Sequence, residues 1–170
     1  MDEADEQFHG FVAERGRRMV AFAYLLTRDL AQAEDLVQDS LLKAYLRWRK
    51  AGAPDHPEAY VRRTIVHEYV GLGRRRRIEP ERIARSEFVA PRMESELAER
   101  DALWTVLGEL PPRQRAAVVL RYYEDLSDDD IGAALGCARG TVRSLVSRAL
   151  TVLRDHPSLV ADHREAGSTS

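Results

Sequence analysis

Ser127-Asp128-Asp129-Asp130-Ile131-Gly132-Ala133-Ala134-Leu135-Gly136-Cys137-Ala138-Arg139-Gly140-Thr141-Val142-Arg143-Ser144 is the stretch on which the fold turns. Ser127 offers a hydroxyl cap, and the carboxylates after it sit in a first turn where the helix dipole favours negative charge. Ile131 and Leu135 form the inner side of a short helix, and Gly136 can stop it by taking a positive φ. A second helix follows, with Val142, Val146, Ala149, Leu150 and Leu153 on its apolar side. Short helix, glycine turn, second helix: the pattern predicts a helix-turn-helix. Its second helix presents Arg139, Thr141, Arg143, Ser144, Ser147 and Arg148 away from the apolar stripe. Arginine is the commonest specific reader of guanine, while serine and threonine reach bases or phosphates. An ordinary helical hairpin with a solvated basic face is the plain alternative.

Charge distribution favours the DNA-facing reading. The 170-residue chain has a formal net charge of −2, but residues 60–78 hold six Arg against one Glu, and residues 137–154 hold four Arg and no acid. With +5 and +4 in these two islands, the remainder sums to −11. Two basic islands in an acidic chain are the footprint of localised phosphate binding. Only 10 Gly and 7 Pro, with abundant Ala, Leu, Arg and Glu, point to helix. The single cysteine, Cys137, excludes an intramolecular disulfide framework, fits a reducing cytoplasm and reads as a small core residue at the turn. The longest apolar run, Met19 to Leu26, is far too short to cross a bilayer, and no membrane role is expected.

Upstream, Phe8, Phe11, Val12, Met19, Phe22, Ala23 and Leu26 recur at helical spacing and predict a first helix over Phe8 to Thr27. Asp29 is a good N-cap for a second helix, with Gln32 as capping-box partner. That helix carries Leu30, Ala33, Leu36, Val37, Leu41, Ala44, Tyr45 and Trp48 on one stripe and stops at Lys50-Ala51-Gly52-Ala53-Pro54. Pro57 suits the first position of a third helix. Its Tyr60, Val61, Thr64, Ile65 and Tyr69 face inward, and Arg74 to Arg77 end it. Residues 78–95 lack a period and predict a flexible linker. A second block opens near Glu96, with Leu97, Leu103, Trp104, Leu107 and Leu110 on one face before Pro111-Pro112. The predicted fold class is all-α: an acidic N-terminal tail (1–7), a helical domain (8–77), the linker (78–95), a helix-turn-helix domain (96–156) and a C-terminal tail (157–170).

Nothing in the chain composes a catalytic centre. His9, His56, His67, His156 and His163 form no HExxH or tight pair, and one cysteine cannot make a CxxC zinc site. Gly71 and Gly73 lie in an Arg-rich helix end and not in a phosphate loop. No catalytic residue, metal or cofactor is expected.

Three stretches together resemble the extracytoplasmic-function group of RNA polymerase sigma factors, which keep the second and fourth conserved sigma regions. Ala33-Glu34-Asp35-Leu36-Val37-Gln38-Asp39-Ser40-Leu41-Leu42-Lys43-Ala44-Tyr45 is similar to the family's polymerase-binding helix. Glu58-Ala59-Tyr60-Val61-Arg62-Arg63 through Arg74-Arg75-Arg76-Arg77 is similar to the helix that engages the minus-ten promoter element. Leu110-Pro111-Pro112-Arg113-Gln114-Arg115, Tyr122-Tyr123-Glu124-Asp125-Leu126-Ser127 and Gly140-Thr141-Val142-Arg143-Ser144 resemble the fourth region. The Tyr60-Val61-Arg62-Arg63 wording is similar to an actinobacterial branch.

The resemblance implies that the chain binds core RNA polymerase, through the β′ coiled coil and the β subunit, and directs promoter recognition and initiation. Asp35, Gln38 and Asp39 would dock on the coiled coil. Trp48, Arg49 and Lys50, in or beside the loop from Trp48 to His56, with Arg62, Arg63 and His67, would meet the minus-ten element, where stacking contributes about 1–3 kcal/mol per base. Trp48, at the end of an apolar stripe, is also a core candidate. Arg139, Thr141, Arg143, Ser144, Ser147 and Arg148 would meet the minus-thirty-five element. The linker would thread toward the polymerase active centre, and an anti-sigma protein is an implied partner.

Three positions depart from the family pattern. Ala138 stands where a capping Ser is frequent, Leu145 where a basic residue is common, and His67 where Asn is frequent. A missing cap costs about 1 kcal/mol, and Leu145 suggests a lost phosphate contact or a covered surface. The rival reading, a dimeric helix-turn-helix repressor or activator, would require neither the acidic face at 34–39 nor the first module. An adaptor would leave the arginine islands unexplained.

Overall fold

The computed structural model describes residues 2–76 and 101–157, with side chains over 2–73 and 103–157. The described elements are helices, grouped in two units that part between Phe88 and Val89. The expected linker (78–95), the side chains of Arg74 to Arg77, the block start at Glu96 and Leu97, and the tail from 158 lie outside the described residues.

In the first unit, α1 spans Glu3–Thr27, α2 Leu30–Ala51 and α3 Pro57–Arg76. Helix α1 begins earlier than its apolar period. Asp2 is its N-cap in a capping box with Asp5, and Glu3, Asp5 and Glu6 complement the helix dipole in the first turn. Residues 3–7 are therefore helix and not a tail; polar caps and a tertiary bond, not periodicity, hold them. Tyr45 Oη on α2 donates to Asp5 Oδ1 at 2.8 Å. That bond holds the Asp5 carboxyl below its ordinary range. Its stabilisation is present above the ordinary carboxyl pKa and fades as pH falls through the lowered one.

Between α1 and α2 the chain reverses through Arg28, which takes a left-handed conformation (φ 58°) and donates its N–H to the Tyr24 carbonyl. Asp29 caps α2, accepting the Gln32 N–H at 3.0 Å, while the Asp29 N–H goes to Thr27 Oγ1 at 3.3 Å. Thr27 thus takes the return bond expected of Gln32. Helix α2 closes at Gly52 (φ 79°), and Pro57 opens α3 as expected. The core joins Phe22, Leu25 and Leu26 of α1, Leu36, Val37, Ala44 and Trp48 of α2, and Val61, Ile65, Val66 and Tyr69 of α3.

In the second unit, α4 spans Asp101–Glu109, α5 Pro112–Tyr122, α6 Asp128–Leu135 and α7 Arg139–Asp155. Pro111-Pro112 breaks the chain between α4 and α5, and Arg115 Nη2 donates to the Gly108 and Leu110 carbonyls at 2.8 and 3.1 Å, satisfying the end of α4. Leu107, Leu110, Val118 and Ala149 form a buried cluster with Leu103 and Leu153 against it. Leu120 of α5, Ile131 of α6, and Val142 and Val146 of α7 are also buried. At the far end, His156 Nε2 lies 3.1 Å from Glu109 Oε2 and ties α7 to α4.

Candidate nucleic-acid interface

The α6–α7 turn is built from small residues and caps. Ser127 Oγ accepts the Asp130 N–H at 3.2 Å, and Gly136 adopts φ 65°, ψ 40° and donates its N–H to the Gly132 carbonyl. The Cys137 N–H bonds the same carbonyl at 3.0 Å. A second glycine, not singled out from the sequence, is as demanding. A Cβ on Gly132 would stand 2.7 Å from the Cys137 carbonyl oxygen, so α6 approaches the turn backbone at a distance only glycine permits. Its sequence signal is a glycine inside an otherwise helical octet. Cys137 itself is half-buried.

Helix α7 is sorted into a polar exposed side and an apolar buried one. Arg139, Thr141, Arg143, Ser144, Ser147 and Arg148 are all exposed, while Val142, Leu145, Val146 and Ala149 are buried. Leu145 therefore belongs to the core side, which explains why an apolar residue occupies a position where a cation was expected. Ala138 is the N-cap of α7 and makes no side-chain bond, so the missing cap is real. Two of the six polar residues are held from outside the helix. Arg139 Nε donates to Asp129 Oδ1 at 2.9 Å, with Arg139 Nη2 on Asp129 Oδ2, and this pairing raises the Arg139 pKa. Arg143 Nε donates to Asp128 Oδ2 at 3.1 Å, and Asp128 also pairs with Arg121 of α5.

The residues expected at the minus-ten element divide. Arg49, Lys50, Arg63 and His67 are exposed. Trp48 is not available to a base: it is 4% exposed and packs edge-on to Phe8, with Phe11 also against it. It is a core residue, as the end of an apolar stripe implies. Arg62 is largely covered too, its side chain 15% exposed and paired at 3.4 Å with Glu58, which also draws Arg15 and Arg18 of α1. A largely covered, paired cation serves the fold before it serves DNA. The pattern missed Arg47, whose guanidinium lies 5.3 Å over the Tyr60 ring. Tyr60, assigned inward, is only half-buried, and Tyr60, Arg63 and His67 at helical spacing were the available signal.

On the outer side of α2, Asp35, Gln38 and Asp39 are exposed as expected. The same side continues into Leu42 and Leu46, 57% and 60% exposed. Asp35, Asp39, Leu42 and Leu46 recur at steps of four, three and four and so share one stripe. Two leucines off the buried stripe were the sequence signal for them. Exposed apolar side chains rimmed by polar ones mark a protein-contact surface. Among the described residues, no group of three or more His, Cys, Asp or Glu could hold a metal ion, and no helix is long and apolar enough to cross a membrane.

Comparison with known proteins bears on both units. The sigma-70 region 2 family model matches residues 11–78, and the sigma-70 region 4 model matches residues 100–153. The RNA polymerase sigma-E factor of Streptomyces coelicolor is 33% identical over 152 residues, covering 88% of this chain and 85% of the relative. The chain belongs to the sigma factors of RNA polymerase. A further relative is the ECF RNA polymerase sigma factor SigE of Mycolicibacterium smegmatis, 34% identical over 153 residues, covering 85% of this chain and 59% of the relative. Both relatives are actinobacterial, in line with the resemblance carried by Tyr60-Val61-Arg62-Arg63. The sigma factor RpoE of Bartonella quintana, solved with the anti-sigma factor NepR, matches with a TM-score of 0.64 at 26% identity, covering 88% of this chain and 96% of that one. As a sigma factor, the protein serves promoter recognition and transcription initiation by core RNA polymerase. The helix-turn-helix lies inside the region 4 match but for the last two residues of α7, and α2 and α3 lie inside the region 2 match.

Proposed function

We propose that this sigma factor divides its work among three surfaces. The α2 stripe of Asp35, Gln38 and Asp39, continued by Leu42 and Leu46, docks on the polymerase β′ coiled coil. The cations Arg47, Arg49, Lys50 and Arg63, with His67, meet the minus-ten element. The polar side of α7 reads the minus-thirty-five element in the major groove, with the β subunit nearby. The domain bounds are close to residues 3–77 and 96–156, joined through 78–95. The observation that carries this reading is the α2 stripe: exposed leucines beside carboxylates suit a protein partner, and a free-standing repressor has no need of them. The protein acts where chromosome and polymerase are, in the cytoplasm, and contributes no catalytic group or cofactor of its own. An anti-sigma protein is a further partner, by analogy with the Bartonella quintana complex.

Transcription by core polymerase with and without the purified chain tests the whole. RNA should start at specific genomic sites only when the chain is added. Tight binding of the chain alone to intact duplex, with no RNA made, would reject the reading. Asp35→Ala with Asp39→Ala should weaken polymerase capture about tenfold without moving the melting temperature, because both side chains are exposed. Leu46→Asp should weaken it further, since a buried unpaired charge is costly at an interface. Unchanged capture in both variants would remove the assigned face.

Arg143→Ala and Arg148→Ala should each erase a base preference in the upstream element, at roughly 1–3 kcal/mol per bidentate contact. A uniform loss across all upstream sequences, with a shallower salt dependence, would assign these arginines to phosphates only.

A further inference from the structure

The three carboxylates of the α6 first turn are an unusual neighbour for a DNA-reading helix, since they repel phosphate. Each has its own partner. Asp130 Oδ2 accepts from the Ser127 cap hydroxyl at 2.8 Å. Asp129 takes Arg139, and Asp128 takes both Arg121 and Arg143. The atoms used are informative. Arg143 engages through Nε, and Arg139 through Nε and Nη2. A guanidinium reads guanine O6 and N7 with two parallel N–H groups, and its terminal edge, the outward hydrogens of Nη1 and Nη2, suits that task. In both residues the carboxylate is bonded through Nε on the inner edge, and no bond to the carboxylate uses Nη1. Both side chains stay more than half exposed, at 53% for Arg139 and 65% for Arg143.

We propose that Asp128 and Asp129 are positioning residues for base recognition, each gripping the inner edge of an α7 arginine so that its terminal edge is presented to the major groove. This inference rests on the reading of α7 as the upstream-element helix. Asp128 is the stronger of the two. Its side chain is 18% exposed, and it also pairs with Arg121 of the neighbouring α5, itself 29% exposed. Arg121, Asp128 and Arg143 thus form a relay of three side chains from three helices, which transmits the rigidity of the fold to a side chain that would otherwise swing freely. An arginine fixed before binding loses less rotamer freedom on contact, and the gain appears only where the base matches the fixed geometry. The same carboxylates weaken attraction to phosphate, so affinity for non-cognate DNA falls while selectivity rises.

The test uses the full chain with core polymerase, on promoters that the wild-type holoenzyme uses, with the upstream element randomised and the transcripts sequenced. Asp128→Asn should flatten the preference at the base pair that Arg143→Ala also flattens, by at least about threefold of the roughly tenfold to hundredfold preference a bidentate arginine gives. Output from non-cognate sequences should hold or rise, since a negative charge has been removed. A uniform rise with the preference intact would make the carboxylate a mere shield and overturn the positioning role alone. An unchanged pattern in Arg143→Ala would instead overturn the α7 reading, and the positioning role with it. Should Asp128→Asn fail to fold, Asp129→Asn decides by the same criteria at the position of Arg139, because the Asp129 side chain is 66% exposed and carries no core packing.

Discussion

Trp48→Ala is expected to lower the stability of the first helical unit by about 3–5 kcal/mol, the usual cost of emptying a buried aromatic site. The indole is 4% exposed, its ring stands 5.4 Å from Phe8 and 5.7 Å from Phe11, and the Tyr45 ring also packs on Phe8. Removing it uncouples the start of α1 from the end of α2. Those ends also carry the Asp5–Tyr45 bond and the Arg49–Asp5 approach at 4.0 Å. Trp48→Phe should be nearly neutral. Among the described residues the buried indole N–H has no partner, and its loss offsets some of the lost packing. Chaotrope unfolding of both variants, followed by promoter melting with core polymerase, separates core from stacking platform. An alanine variant of native stability that fails only in promoter melting would return Trp48 to the DNA face.

Gly132→Ala should cost about 1–3 kcal/mol, the range for overpacking a close contact. The new methyl would meet the Cys137 carbonyl oxygen at 2.7 Å, with Val142 Cγ2 at 3.7 Å. Backbone cannot rotate aside as a flexible side chain can. Relief therefore comes from moving α6 off the turn, which displaces α7 and weakens upstream-element recognition beyond what the lost stability explains. Two nearby glycines are controls. Gly136→Ala meets nothing within 4 Å but must hold φ 65°, at about 1–2 kcal/mol. Gly140→Ala meets nothing, holds an ordinary helical φ and should be neutral or stabilising. Thermal melts of the three variants should show clear losses at 132 and 136 and none at 140. A silent Gly132→Ala would show that the turn relaxes at no cost.

Much of the architecture is legible in local chemistry. Asp29, Pro57, Pro112, Ser127 and Gly136 stand at the helix boundaries their side chains favour, because caps, proline φ and positive-φ glycine act within a few residues of the chain. The polar residues of α7 were legible for the same reason: a 3.6-residue period sorts a helix into two sides without knowledge of what covers it. The first turn of α1 was not legible from its apolar period, since Asp2 and the distant Tyr45 hold it.

By itself the sequence determined that this is a helical chain with a helix-turn-helix and two arginine islands, and its motifs determined the family. Only the tertiary structure decided which members of those patterns face outward. It sent Trp48, Leu145 and most of Arg62 inward, left Leu42 and Leu46 outside, and set Asp128 and Asp129 against Arg143 and Arg139. The physical reason is range. Capping and periodicity act along a few residues of one helix, whereas burial and ion pairing depend on side chains brought together from different helices, as Arg121, Asp128 and Arg143 are.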